Sequence, residues 1–435
     1  MQNSIITASK EAKTALPSAR SWIIWTFASL FYFYEMILRA SPSVMTEDLM
    51  RDFNVTSTAL GVLTSFYYYA YVALQVPCGI IVDRLGTRRV ITFSTLLCVI
   101  GSLCFAYSTS LPLAQFGRFL IGAGSACAFI SCLKISADWF LPAQFALIAS
   151  LTNMMGTVGG MFSGPPFALL VNNFGWRYAT MIVAYLGLIL AGLCWLVIRE
   201  RRNVMSASGE ESAHFLSDLI YITRQPRLWI FAIFGGLMYV PISAFCELWA
   251  VPFLMQKYGI SNETASFANV MLYLGIAVGS PIAAKCSDYL QSRVKVMSLS
   301  AICTTALFLA IIYVPELSLN AMFSLLFFAG IFTGGQILSF ACVKEAVPPH
   351  MGGTAMGFTN ATVMMSGIIF QPLLGLLLDW AWSGGFDEYG KRFYEIDAYQ
   401  TAILAVPVCL FLSWLLLHFV RHSKENTMRA VSLEP

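Results

Sequence analysis

The sequence predicts an all-α membrane protein of twelve transmembrane helices in two six-helix repeats, and three observations predict it. Of 435 residues, 58% are hydrophobic and only 11% charged, with mean hydropathy +0.71, whereas a soluble domain carries about 25% charged residues. Twelve apolar runs are long enough to cross about 30 Å of hydrocarbon. The two halves of the chain also repeat one another in register.

The first six runs are 21–45, 57–82, 90–109, 111–136, 143–171 and 176–198, and the second six are 228–254, 264–285, 294–314, 319–346, 354–379 and 398–420. Between them lies "RERRNVMSASGEESAHFLSDLIYITRQPR", the longest polar stretch. The expected organisation is therefore an N-terminal bundle 1–198, a linker 199–227, a C-terminal bundle 228–420 and a tail 421–435. With the N-terminus inside, 18 Lys and Arg fall in cytoplasmic segments against five in outer loops. That bias follows the positive-inside rule and puts both ends in the cytoplasm. Residues 1–20 lack the apolar core of a cleavable signal peptide, so the first run is expected to stay in the membrane.

The repeat shows in "RSWI" (20–23) and "RLWI" (227–230), and in "VDRLGTRR" (82–89) and "SDYLQSRV" (287–294). In "LTNMMGTVGGMFSGP" (151–165) and "FTNATVMMSGIIFQP" (358–372), Thr152, Asn153, Gly160 and Pro165 match Thr359, Asn360, Gly367 and Pro372. All four pairs keep one offset of 207 residues, counted along the chain. Two such repeats with a cleft between them are the plan of a rocking transporter.

Other classes are disfavoured. The net charge of +3 is too small to argue for nucleic acid, and the eleven cysteines lack CxxC or metal-like spacing, so they read as buried small hydrophobes. No GxxxxGK[ST] loop for ATP, HExxH or GxSxG motif is present, and none of the four histidines sits in a nucleophile-like context. The chain is read as no enzyme, with no cofactor and no metal site.

Three motifs carry a resemblance. "GIIVDRLGTRR" (79–89), "RFLIGAGSA" (118–126) and "GTVGGMFSGPP" (156–166) resemble the loop, buried-arginine and fifth-helix signatures of the major facilitator superfamily. Within it, "FYFYEMILRASPSVM" and "SCLKISADWF" (131–140) resemble the proteobacterial intraphagosomal amino-acid transporter family, and more loosely the lysosomal dipeptide transporters. Ser125 and Met155 stand where the latter carry a glutamate and an arginine. The resemblance implies a monomeric carrier in the bacterial inner membrane. It also implies that Asp83, Arg84 and Arg88 latch the inner gate against the eleventh helix when the outside is open. In the second half Asp288 and Arg293 match this latch, but Ala284 replaces Gly79 and Tyr289 replaces Arg84. Gly156, Gly160 and Gly164 form a small-residue face for close helix packing, and Pro165-Pro166 permits a bend.

A transport site needs polar groups at depth in the membrane, where an ionised side chain costs about 2.5–3.5 kcal/mol or more. Glu35 and Arg39 lie four residues apart on one helix face and can pair; they are read as a substrate or proton site, or as a structural pair. Arg118 lies at similar depth, while Lys134 is closer to the cytoplasmic interface, where it can snorkel. Asn153 and Asn360 are the repeat-related polar pair. In "FYYYAYVALQ" (66–75), one or two of the tyrosines can face the cleft, and Tyr68 with Tyr71 is the choice made. Tyr239, Tyr273 and Gln336 are the second-half candidates, with Glu247 and Trp249 beside them; Glu247 is placed near the outer end, open to water. The first half holds one carboxylate against two arginines, which suits a ligand carboxylate on Arg39 or Arg118 and an ammonium on Glu35.

The expected function is secondary active transport of a small polar metabolite, an amino acid or short peptide, by alternating access, with protons coupled through Glu35. An organic acid or siderophore is the second substrate class. A receptor or sensor built on a transporter fold is the alternative of a different class.

Overall fold

The computed structural model describes residues 18–141, 144–200, 217–386 and 392–431. Most of the expected linker and the end of the tail lie outside them. Ten helices in the described residues are long and apolar enough to span a membrane. They are α1 (Ala19–Val44), α3 (Thr87–Ala106), α4 (Leu111–Trp139), a continuous stretch Leu147–Val197, α7 (Pro226–Tyr258), α8 (Asn262–Tyr289), α9 (Arg293–Tyr313), α10 (Leu319–Glu345), α11 (Gly352–Trp380) and α12 (Ile396–Phe419).

An eleventh, α2 (Ser57–Leu85), bends by 65° between Ser57–Gln75 and Pro77–Leu85, where proline removes a backbone donor. The Leu147–Val197 stretch is two spans in one. It breaks at Gly175, whose φ of 78° and ψ of 157° no helix admits and glycine reaches without a Cβ clash. Its halves, α5 (145–174) and α6 (176–197), bring the described spans to twelve.

Local chemistry fixes the helix starts. Ser18, Thr56, Ser261, Ser292 and Ser318 each accept a backbone N–H of the first turn of α1, α2, α8, α9 and α10. Outward side chains such as Phe93, Ile189, Phe328 and Ile369 stay half or more exposed, as lipid contact requires and water would not favour.

How the repeats meet decides where a site can lie. The bundle has a near end, where α1 starts, and a far end, where α2 starts and α11 finishes. At the far end Asn262 Nδ2 donates to Val44 O at 2.6 Å, Asn269 Nδ2 to Ser43 Oγ at 2.9 Å, and Thr46 Oγ1 to Leu248 O at 3.3 Å. The tightest seam joins α2 and α11. A Cβ on Gly61 would stand 2.4 Å from Gln371 O, and one on Gly375 2.3 Å from Ser57 O. Beside it Asp379 accepts from the amides of Ser57 (3.3 Å) and Thr58 (2.9 Å), from Thr58 Oγ1 and Tyr394 OH (2.5 Å each), and from Arg392 (3.3 Å). A carboxylate at the N-terminus of α2 favours the aligned peptide dipoles. Asp379→Asn is expected to weaken this closure by about 1 kcal/mol, read as faster hydrogen exchange at the Ser57 and Thr58 amides; unchanged exchange would refute it.

Toward the near end the side-chain bonds thin out. Among the described residues the last one between repeats on this pair is Asn360 Nδ2 to Gln75 Oε1 at 2.9 Å, roughly 27 Å along α2 from Ser57 at 1.5 Å per residue. Beyond it Gly79, Gly353 and Gly357 each face open space. The far end is closed and the near end is parted.

Candidate functional site

The site begins with a proline. In a continuous helix the amides of residues 42 and 43 would serve the carbonyls of Leu38 and Arg39. Pro42 has no N–H, and α1 tightens into a 3₁₀ turn over Ser41–Val44. Arg118 from α4 fills the gap. Its Nη1 donates to Leu38 O at 2.8 Å and its Nη2 to Arg39 O at 3.3 Å, while Ser41 Oγ donates to Leu38 O at 3.1 Å. The guanidinium also lies 5.2 Å from the centroid of the Tyr67 ring. Arg118 is thus turned onto the end of α1 by its Nη groups, as a helix-tying arginine would be, while its buried Nε has no partner among the described residues.

With its backbone held, Arg39 extends toward the other repeat. The expected pair with Glu35 does not form. Arg39 Nε instead donates to Glu247 Oε1 at 3.0 Å, and its Nη2 donates to Tyr239 OH. Glu35 turns back into its own repeat, where Tyr67 OH donates to its Oε2 at 2.9 Å and its Oε1 is buried with no hydrogen-bond partner among the described residues. Spacing by four puts two side chains on one face, but about 40° apart around it. Here that angle separates a repeat's interior from the interface between repeats.

Glu247 is the largest departure from expectation. It is 1% exposed rather than wet. Besides Arg39 it accepts from Tyr68 OH, and from Tyr273 OH at 3.2 Å. It sits where α7 widens to i→i+5 bonding over Pro241–Trp249, a rearrangement frequent at functional sites. Pro241 starts the segment, and the missing donor is a physical reason for the widening there. Two glycines let the tyrosines in. A Cβ on Gly367 would stand 2.4 Å from the Tyr68 ring, and one on Gly160 2.7 Å from the Tyr273 ring. The predicted small-residue face of α5 thus serves three contacts, since Gly156 meets Tyr32 and Gly164 meets Ser266 O.

Of the predicted site residues, the structure gathers Arg39, Tyr68, Tyr239 and Tyr273 around one carboxylate. Tyr71 is buried and stacks on Tyr67 with ring centroids 5.7 Å apart. Three of the tyrosines in the run are therefore buried, and of these Tyr68 bonds across to the other repeat, while Tyr69 is 43% exposed. Asn360 reaches Gln75, but Asn153 is exposed, so this repeat-related pair is not brought together. Gln336 is half-buried in the 3₁₀ turn Gly334–Gln336 of α10 and is not among the residues bonded to the cluster. The gate residues also stay within their own repeats. Asp83 pairs with Lys134 at 2.8 Å, Arg88 Nε donates to Trp195 O at 2.8 Å, Arg84 is exposed, and Arg293 binds Asp288 (3.7 Å) and Glu345 (2.6 Å). Among these contacts none reaches α11.

A sequence profile of the Major Facilitator Superfamily matches residues 25–249 and 243–432. The chain belongs to the Major Facilitator Superfamily. It is a multi-pass membrane protein and a secondary transporter, not an enzyme, as its composition implied. This facilitator is 22% identical to the hexuronate transporter of Bacillus subtilis over 88% of its own length and 90% of that protein. It is 24% identical to the gentisate transporter of Corynebacterium glutamicum over 82% and 81% of the two chains. The same identity, 24%, relates it to the membrane sensor protein UhpC of Escherichia coli over 83% and 86%. In three dimensions it resembles a bacterial homolog of the human lysosomal transporter Spinster, solved in an inward-facing, unoccupied conformation. There the TM-score is 0.77 at 16% identity, covering 92% of this chain and 96% of that one.

Of two residues that complete the site, Tyr67 was passed over for its neighbours, and Glu247 was a second-half candidate set aside as lying near the wet outer end. Glu247 carried a usable signal, because the 207-residue repeat offset places Cys246 opposite Arg39, one residue short of Glu247.

Proposed function

We propose that this facilitator carries a small organic anion by alternating access, with Arg39 as the anchor for a ligand carboxylate. The observation behind this reading is a guanidinium 5% exposed at the interface of the two repeats, bonded to Tyr239 OH and paired with the Glu247 carboxylate, which also accepts from the hydroxyls of Tyr68 and Tyr273. Arginine binds carboxylates in charge-assisted, directional pairs. The names of the relatives add support, since hexuronate and gentisate are carboxylates, and none of those reported is an amino-acid carrier. The amino-acid reading favoured by the resemblance therefore moves to second place. One observation still speaks for it: the free Oε1 of Glu35 is an acceptor suited to an ammonium group.

With the excess of Lys and Arg marking the cytoplasmic side, the near end opens inward and both termini are cytoplasmic. The latch of Asp83, Arg84 and Arg88 then belongs to the opposite state, in which the near end closes on α11. Purified protein should be stabilised in a thermal-shift assay by D-glucuronate or gentisate more than by amino acids or dipeptides. The stabilising compound should also exchange across proteoliposomes. Stabilisation by amino acids alone would overturn the anion reading, and binding without flux would favour a sensor.

A further inference from the structure

We propose that Glu247 is an internal stand-in for the ligand, occupying the carboxylate seat on Arg39 until a proton displaces it. The inference rests on the anion reading above and assigns the coupling proton to Glu247, not to Glu35, where the sequence pointed.

The argument starts from the contacts. A ligand carboxylate arriving at Arg39 would seek the guanidinium and the surrounding phenol hydroxyls. Glu247 already holds that position through Arg39 Nε at 3.0 Å, Tyr68 OH and Tyr273 OH at 3.2 Å, with Tyr239 on the other side of the same guanidinium. Two carboxylates cannot share one desolvated guanidinium without leaving a buried negative charge uncompensated. The empty carrier is thus self-occupied.

Formal charge leads to the same step. The cluster holds Arg39 and Arg118 against Glu35 and Glu247, and sums to zero. The titratable groups facing Glu247 come from five elements: Glu35 and Arg39 of α1, Tyr68 of α2, Arg118 of α4, Tyr239 and Cys246 of α7, and Tyr273 of α8. Of the two cations, Arg118 keeps its Nη groups on the carbonyls of Leu38 and Arg39, with its buried Nε left unpartnered among the described residues, and both positive charges are already balanced by Glu35 and Glu247. A monoanion therefore enters a neutral cluster only with one positive charge. A proton from solvent added to a Glu247 carboxylate oxygen supplies it, and the neutral acid then releases Arg39 to the ligand.

Glu247 also differs from Glu35 in position. It crosses the interface from α7 to α1, so its release removes a bond between repeats. Glu35 bonds only within its own repeat and can change charge without loosening that interface.

Benzoate and D-glucuronate serve as probes, with binding measured by titration calorimetry in detergent from pH 5.5 to 8.5. For native protein, affinity for at least one probe is expected to rise about tenfold per pH unit of acidification, the slope for one linked proton. Glu247→Gln keeps the side-chain shape and mimics the neutral acid. It is expected to bind the same probe at least about tenfold tighter at pH 8.5, with a flat pH profile. Glu35→Gln removes a negative charge but leaves Glu247 seated on Arg39, so it should bind the probe tighter than native protein at pH 8.5 while affinity still rises on acidification. A purely structural Glu247 would lower stability in the variant but leave the pH slope intact, which overturns the proposal. So does a slope lost in Glu35→Gln and kept in Glu247→Gln. If native protein binds neither carboxylate at any pH, the anion reading itself falls. Native binding without the gain in Glu247→Gln sinks the stand-in alone.

Discussion

Arg39→Ala is expected to abolish uptake of the carboxylate that the thermal-shift panel selects, by at least about 100-fold, and to lower the melting temperature as well. The two losses have different causes. Removing one partner of a buried ion pair leaves the other charged in a dry site, a cost of about 3–5 kcal/mol. Here the stranded partner is Glu247, 1% exposed, with only Tyr68 and Tyr273 left as donors. Removing both charges should relieve that penalty. The double variant Arg39→Ala with Glu247→Ala is expected to melt closer to native than Arg39→Ala alone, while uptake stays lost because the anchor is gone. Such a cycle separates the energy of the pair from its function. Native-like uptake by Arg39→Ala would refute the assignment, whatever its stability.

The second large effect is expected at the far seam. Gly61→Ala or Gly375→Ala puts a methyl within 2.4 or 2.3 Å of a main-chain oxygen on the facing helix, and a backbone atom cannot rotate away. Overpacking of this kind costs about 1–3 kcal/mol, and only in the state where the seam is shut. The far-closed population should fall by roughly 5- to 150-fold relative to the far-open one. Turnover needs both states, so uptake should drop more than about tenfold. The amides of Ser57 and Thr58, now held by Asp379, should exchange faster. Full uptake with unchanged exchange would mean that this seam does not limit the cycle.

The readable and unreadable parts of the molecule divide along one line. The spans and the repeat were legible because burial in lipid acts on contiguous residues, and a run of apolar side chains is a local property. The break at Gly175 agrees with the expected gap between runs ending at 171 and starting at 176. That Arg39, Tyr68, Tyr239 and Tyr273 lie at depth was legible for the same reason, since polar groups stand out against an apolar background. Their partners were not. Arg39 and Glu247 are 208 residues apart in the chain, and only the rotation of two helices decides that they meet while Glu35, one turn away, does not. The role of Arg118 was hidden by its charge. It looked like a ligand for cargo or a helix tie, and its Nη groups donate to the carbonyls of Leu38 and Arg39 beside Pro42.

That arrangement carries an evolutionary consequence. Pro42 and Arg118 lie on different helices yet solve one bonding problem between them, so neither is free to drift alone. Loss of the arginine would leave Arg39 O without this donor and Leu38 O with Ser41 Oγ alone. Loss of the proline would restore an amide for Leu38 O and release an Nη group of the cation. A lineage that sheds the ring at 42 thereby acquires a partly released positive charge one turn from Arg39, the raw material for grasping a doubly charged cargo.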